Sequence, residues 1–307
     1  MKASLPEPMA ISIWRLRWLR LQQDRAALWG GGTLLLLFLL CFGADLLAQW
    51  LGVDGSSTDL LKRFDEPSRE HLLGNDEAGR DVLIRLLLGG QTSLSIGLLG
   101  ALGCTLIGTL VGATAGFFRG RVDMLLMRFT DFMISLPGLP LLIILSAVDL
   151  SKLGLSEAWL RSGSSTYWRI ILIVTLLGWT GVARLVRAST LALNEREFVM
   201  SARAQGASAF WVLWRHVLPN AVSPVIVATT LAVGRIMLTE SGLSFLGVGI
   251  QPPLTSWGSM LTNAQELMAS APLLALYPGL LIFVTVIAVN FLGDGLQTAF
   301  DPRSDPR

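Results

Sequence analysis

NEREFVMSARAQGASAFWVLWRHVLP, residues 194–219, is the only long polar-rich stretch between two strongly apolar ones in the second half of the chain. Asn194 followed by Glu197 is a variant of the capping box, in which each side chain satisfies one orphan amide of a helix start. It predicts a short helix with Asn194 as its cap. Gly206 tolerates positive φ and suits a chain that stops one helix and turns. Ser208 is the predicted cap of a second helix, which carries Phe210, Trp211 and Trp214. That helix should end before Pro219, whose ring removes a donor and restricts the residue before it. The stretch therefore reads as helix, bend, helix: either a cytoplasmic docking element or a polar loop joining two membrane helices.

Its surroundings follow from composition. Of 307 residues, 52% are hydrophobic and only 15% charged, outside ordinary soluble usage, which places the chain in a bilayer. The net charge of +2 comes with scattered basic residues, so the clustered Lys and Arg of a nucleic-acid binder are missing. Cys41 and Cys104 lie inside apolar runs and read as small packing residues, not as a disulfide. Neither they nor His71 and His216 have metal-ligand spacing, so no metal site is expected.

Outward from the segment, the expected divisions are residues 1–27 as a cytoplasmic amphipathic arm, 28–50 as a transmembrane helix and 51–91 as a periplasmic loop. Residues 92–297 form a core with five further spans and the coupling segment 194–219, and residues 298–307 a cytoplasmic tail. The arm carries Lys2, Arg15, Arg17, Arg20 and Arg25 around Trp14 and Trp18, which suits an interface. The first apolar run, about Ala27 to Trp50, meets the roughly 20 apolar residues a span needs. An amphipathic helix is expected from about Arg80. The remaining runs are about Thr92 to Phe117, Met124 to Val148 broken by Pro137 and Pro140, Trp168 to Val186, Asn220 to Leu246, and Pro272 to Leu292. The proposed inner segments hold more Lys and Arg than the outer loops, and none occurs between Arg235 and Arg303. Both ends are thus expected in the cytoplasm. In the second run, Gly100, Cys104, Gly108, Gly112 and Gly116 recur at every fourth position. Such a ridge of small side chains lets helix backbones approach closely in lipid, where apolar burial supplies no driving force between helices.

Chemistry of its own is sparse. There is no GxxxxGK[ST] loop, and lysine occurs only at positions 2, 62 and 152, so no nucleotide or other cofactor is expected to be bound by this chain. His71, Asp76 and Asp81 lack a neighbouring nucleophile and read as a solvated loop. An ion-coupled secondary transporter or channel subunit is the competing class, with Asp131, Glu240 and Asp294 as candidate acids. Their expected depths, two near the inner interface and one near the outer, leave no relay across the midplane. Arg235 is the ionisable group expected near the bilayer centre, where lipid exposure would cost roughly 2.5 to 3.5 kcal/mol. It should face protein, a partner-subunit acid, or the translocation path and an anionic solute group.

The 194–219 segment also resembles the signature loop of ABC importer permeases: Glu-Ala-Ala, three residues, Gly, nine residues, Ile, one residue, Leu-Pro. Met200, Ser201 and Ala202 fill the triplet, Gly206 the glycine, and Leu218 with Pro219 the end, while Met200, Ser201 and His216 depart from the pattern. HLLGNDEAGRD, SLPGLP, GLSFLGVGIQPPLTSWG and NFLGDGLQTAFDPR are similar to segments of the dipeptide, oligopeptide and nickel permeases, in the same order, over roughly residues 70–303. The resemblance implies an all-α integral membrane fold with six transmembrane helices, a type I importer core plus an extra N-terminal helix. It also implies a homologous permease partner, two ATP-binding subunits that carry the ATP and Mg, and a periplasmic or lipoprotein solute-binding protein. The ATPase-docking residues it implies are Met200, Ser201, Ala202, Arg203, Ala204, Gln205, Gly206, Ala207, Leu218 and Pro219, with Arg203 the nearest charge available to that interface. The substrates it implies are peptides or peptide-like solutes.

Overall fold

The computed structural model describes residues 13–55, 57–148, 156, 163–262, 264–268 and 270–300. Residues 1–12 of the arm, most of the loop before 163, and the tail from 301 lie outside the described residues. Among those described, every regular element is helical. Four helical stretches are long and apolar enough to cross a membrane, and two bent helix pairs bring the number to six if each pair is one span.

The arm helix α1 (Ile13–Gln23) is followed by α2 (Arg25–Phe42), whose start is capped by Asp24 Oδ1 accepting from the amides of Ala26 and Ala27. The expected single run to Trp50 is interrupted at Gly43, and α3 (Ala44–Leu51) continues from it. The second span is longer than expected. The amphipathic stretch from Arg80 and the apolar run from Thr92 are one helix, α4 (Val82–Phe118), of 37 residues. At 1.5 Å per residue it is about 55 Å long, far beyond the ~30 Å hydrocarbon core. Gly89 and Gly90 do not break it, because they are where residues Ser256 and Trp257 pack against its backbone.

The third span is α5 (Gly120–Ser135) and α6 (Gly138–Ser146), bent by 81°. The break belongs to Pro137 alone. It precedes α6 in extended conformation, whereas Pro140 sits in the first turn, where a missing N–H costs nothing. The fourth span is α7 (Gly163–Gly178) and α8 (Thr180–Asn194), bent by 43°, and it runs past the expected stop at Val186. After the short helix α9 (Glu197–Ala204) come α10 (Ala209–Val212), a π-turn over Leu213–Val217, and α11 (Leu218–Phe245). The helix expected to stop before Pro219 does not stop: Ala209–Phe245 is one 37-residue stretch. A proline inside a helix clashes with the carbonyl four residues back. The wider turn immediately before Pro219 gives that carbonyl room. A short α12 (Ala264–Leu267) precedes α13 (Pro272–Phe300), which extends two turns beyond the expected Leu292.

α4 is the axis of the bundle. It packs along α8 and α11 and also touches α2, α5 and α7, while α13 fills the space between α2 and α11. α1, the foot of α13 and the 194–219 segment lie at one end, called lower here, and the loops 52–81 and 246–271 at the upper end. The glycine ridge runs down the α7/α8 side of α4. A Cβ on Gly108 would stand 2.6 Å from Val182 Cβ, one on Gly112 would fall on the Ala183 carbonyl oxygen, and one on Gly116 would stand 2.8 Å from the Arg187 oxygen. Cys104 Sγ lies 3.5 Å from the Val174 carbonyl. Both cysteines are buried and unpaired. Outside these seams, large apolar side chains such as Leu35, Leu106, Phe129, Phe132 and Phe283 are exposed on all sides, a surface suited to lipid and not to water.

Candidate docking segment and apolar groove

The segment is anchored from beneath. Val199 of α9, Val212 of α10 and Val217 of the π-turn are fully buried, and with Leu213 they pack against Ala113, Phe117, Val182 and Val186 of α4 and α8. α9 ends in a Schellman arrangement in which the Gly206 amide donates to the Arg203 carbonyl and the Ala207 amide to that of Ala202. This closure requires a left-handed residue, and Gly206 has φ +83° with open space around it. Ser208 caps α10, its Oγ accepting from the Trp211 amide at 3.3 Å.

Asn194 does something other than cap. α9 begins after Arg196, with no side-chain cap, and Asn194 is the buried last residue of α8. Its Nδ2 donates to the carbonyls of Gly116 and Phe117 at 2.8 and 3.4 Å. Those carbonyls are among the four that any helix end leaves without an internal partner, so Asn194 closes the foot of α4. Its Oδ1 accepts from Arg203 Nη2 at 2.9 Å, and the Arg203 guanidinium lies 4.7 Å from the centre of the Phe117 ring. Arg203, although exposed, is thus also tied inward to α4 and α8. Arg119 adds a second tie, donating to the Leu191 carbonyl and to Glu195.

The outward face is aromatic and apolar. Met200 is 52% exposed, Phe210 68% and Trp214 54%, with Phe198 and Trp211 between them. His216 stacks edge-on to Trp211 at 5.0 Å. Ser201, Ala204 and Gln205 are also exposed, Ala202, Ala207 and Leu218 are half-buried, and Pro219 faces out. The pattern-matched residues and these aromatics form one knob at the lower end. Phe198, Phe210, Trp211 and Trp214 fall outside the matched motif. Their concentration in a segment otherwise polar is the signal that marks them.

Beside the knob a groove opens between α8, α11 and α13. Its deeper part, about 510 Å³, is lined by Leu185, Ser189, Val227, Leu231 and Gln297. Its mouth, about 780 Å³, is lined by Arg17, Glu195, Arg196 and Glu197. Leu193, Arg196, Asn220, Ser223, Pro224 and Phe300 line both, so the two parts are continuous. Arg17 of α1 stands over the Phe300 ring at 4.7 Å, at the mouth. One turn beyond Leu231 on the same face of α11 is Arg235, exposed, with its guanidinium against Gly181 at the α7/α8 bend. Its side chain makes no hydrogen bond or ion pair with the described residues. It is an exposed cation one turn above the apolar residues of the groove.

The acids are elsewhere. Asp123 holds Arg187 bidentately at 2.5 and 2.6 Å, Asp131 accepts from Arg184 at 2.6 Å, and Asp294 is exposed near the foot of α13. Glu240 is fully buried at the upper end among serines. No two of these acids touch. His71, Asp76 and Asp81 form the frame of the upper loop: Asp81 caps α4 through the Ile84 amide and accepts from His71 Nδ1 at 3.0 Å, and Asp76 is held by Arg80 and Arg85. Among the described residues no group of His, Cys, Asp and Glu is arranged to hold a metal.

Comparison with known proteins agrees with this architecture. Residues 108–306 match the family described as binding-protein-dependent transport system inner membrane component, and residues 12–61 match the N-terminal TM domain of oligopeptide transport permease C. The glutathione transport system permease protein GsiD of Pectobacterium atrosepticum is 37% identical over 290 residues, 94% of this chain and 91% of that protein. The oligopeptide transport system permease protein OppC of Bacillus subtilis and the dipeptide transport system permease protein DppC of Alkalihalophilus pseudofirmus are each 33% identical over 294 residues, 96% of this chain and 91% of theirs. A helical bundle with this buried-foot, exposed-knob segment, matched over nearly its whole length, is a multi-pass inner-membrane permease of the binding-protein-dependent ABC importer family.

Proposed function

We propose that this chain imports peptides or peptide-like solutes by alternating access, as one wall of a path completed by a homologous permease. The similar proteins named for glutathione, oligopeptide and dipeptide transport support that substrate class. The lower end is cytoplasmic, with both termini there. Two ATP-binding subunits, carrying the ATP and Mg this chain does not bind, dock on the knob, and a periplasmic or lipoprotein solute-binding protein delivers cargo to the upper loops. The chain itself carries no catalytic group.

The observation that carries the mechanism is continuity. The knob rests on buried valines, and from Ala209 its second helix runs as one stretch into α11, so force applied at Phe210 to Trp214, and at Met200 to Ala207 through the buried Val199 beneath them, reaches the wall that presents Arg235. Movement of that kind is rigid-body rocking driven by nucleotide closure. Arg235, exposed and without an anionic partner among the described residues, receives an anionic group of the solute, such as a peptide carboxylate. Transport by Arg235→Ala tests this with free-acid and amidated peptides. Loss confined to the free acids is expected, and equal loss of both refutes the role. Gly206→Pro tests the docking role. Proline cannot adopt φ +83°, so a stably inserted variant should hydrolyse ATP without transport, and normal uptake refutes the reading.

A further inference from the structure

The upper loop after α11 does not lie on the surface. Trp257 is fully buried, its Nε1 donating to the Leu86 carbonyl at 2.7 Å, and Gly89, Gly90 and Gly258 leave the room that lets the loop enter the bundle. At its base is Glu240, fully buried on α11, with no cation among its partners. Ser244 Oγ donates to Glu240 Oε1 at 2.7 Å and Ser93 Oγ of α4 to Oε2 at 3.3 Å. Each of these hydroxyls also accepts a loop amide: Ile250 N donates to Ser244 at 3.0 Å and Trp257 N to Ser93 at 3.1 Å.

A hydroxyl has one proton to give. With the loop amides occupying their acceptor side, both serines turn that proton to the carboxyl, which accepts through both oxygens. Fully buried Ser256 and mostly buried Ser241 lie beside the same group, the Ser241 hydroxyl without a hydrogen-bond partner among the described residues. Glu240 thus orients two hydroxyls that each hold a loop amide: Ser244, also on α11, holds Ile250, and Ser93 of α4 holds Trp257.

We infer that Glu240 is a positioning residue that, by orienting Ser244 and Ser93, fastens the 247–258 loop to α11 and α4, so the outer loop moves together with the helix that carries the docking knob. The inference rests on the proposed coupling role, because its value is transmission: a displacement made at residues 200–214 arrives at the opposite face through one helix and one carboxylate.

Glu240→Gln is the discriminating change. It preserves shape but replaces one acceptor by an NH2 group, leaving one serine proton without an acceptor in a buried site. The complete complex of this chain, its permease partner, the ATP-binding subunits and the solute-binding protein is reconstituted in liposomes. Hydrogen exchange of the Ile250 and Trp257 amides is measured beside solute imported per ATP hydrolysed. Expected are roughly tenfold faster exchange of those amides, unchanged basal ATP hydrolysis, a reduced import-to-hydrolysis ratio, and partial recovery of both in Glu240→Asp. Unchanged loop exchange, or a loosened loop with an unchanged ratio, overturns the inference. Should Glu240→Gln not assemble, Ser93→Ala keeps the carboxyl while removing the Trp257 tie, and the same two readouts decide. A wild-type complex that imports no peptide counts against the proposed substrate, while stimulation of ATP hydrolysis by the solute-binding protein still measures the coupling assigned to Glu240.

Discussion

Removing the Arg203 side chain should loosen the docking helix at its root in the bundle. α9 has eight residues, far too few to persist alone in water, so its order is borrowed from contacts with the bundle. Two of those contacts pass through Arg203: the 2.9 Å hydrogen bond to Asn194 Oδ1 and the cation–π contact with Phe117. A hydrogen bond to a charged group contributes about 1.5–3 kcal/mol, and an exposed cation–π contact about 0.5–1 kcal/mol. Arg203 is itself exposed, which moves both to the low end, for a sum of about 2 kcal/mol. At a factor of ten per 1.4 kcal/mol, Arg203→Ala should speed amide exchange in residues 197–204 about 30-fold. The rest of the bundle, including α11, should keep its wild-type protection, because Val212 and Val217 still anchor the following turn. Arg203→Lys should fall between, since an ammonium lacks the planar fork that can serve the Asn194 amide while covering the ring. Exchange followed by mass spectrometry on the purified chain reads all three. A change below about threefold in α9, or one spread evenly over the bundle, refutes the assignment of Arg203 as an internal tie.

Other consequences are equally specific. Gly112→Ala places a methyl on the Ala183 carbonyl and should destabilise the purified chain by about 1–3 kcal/mol, while Gly279→Ala, with open space around it, should be neutral or stabilise by up to about 1 kcal/mol through helix propensity; thermal unfolding in detergent compares them, and equal effects contradict the ridge. Gly206→Ala should cost about 1–2 kcal/mol of local stability from its left-handed φ alone, seen as faster exchange at Ala207 and Ser208. Asp131→Asn should cost no more than about 1 kcal/mol, and that difference should vanish in high salt, because Asp131 and Arg184 are both about half exposed.

The primary structure alone determined what depends on neighbours within a turn or on summed composition. Long apolar runs demand a bilayer whatever their packing, the Gly206 bend and the Ser208 cap are made by residues two or three places away, and glycines at every fourth position share one helix face by geometry. What only the tertiary structure decided are the roles set by distant partners. Asn194 has a capping residue's sequence context, yet its amide is drawn to carbonyls 78 and 77 residues earlier, because the open end of α4 is a stronger claim than a local amide that water can serve. Gly89 and Gly90 are a landing place for Ser256 and Trp257, partners that no local pattern names. Glu240 reads as an acid near an interface until the loop folds back and surrounds it with serine hydroxyls. A buried polar group takes whichever partner the fold brings within about 3 Å, and that choice is made between segments, not along them.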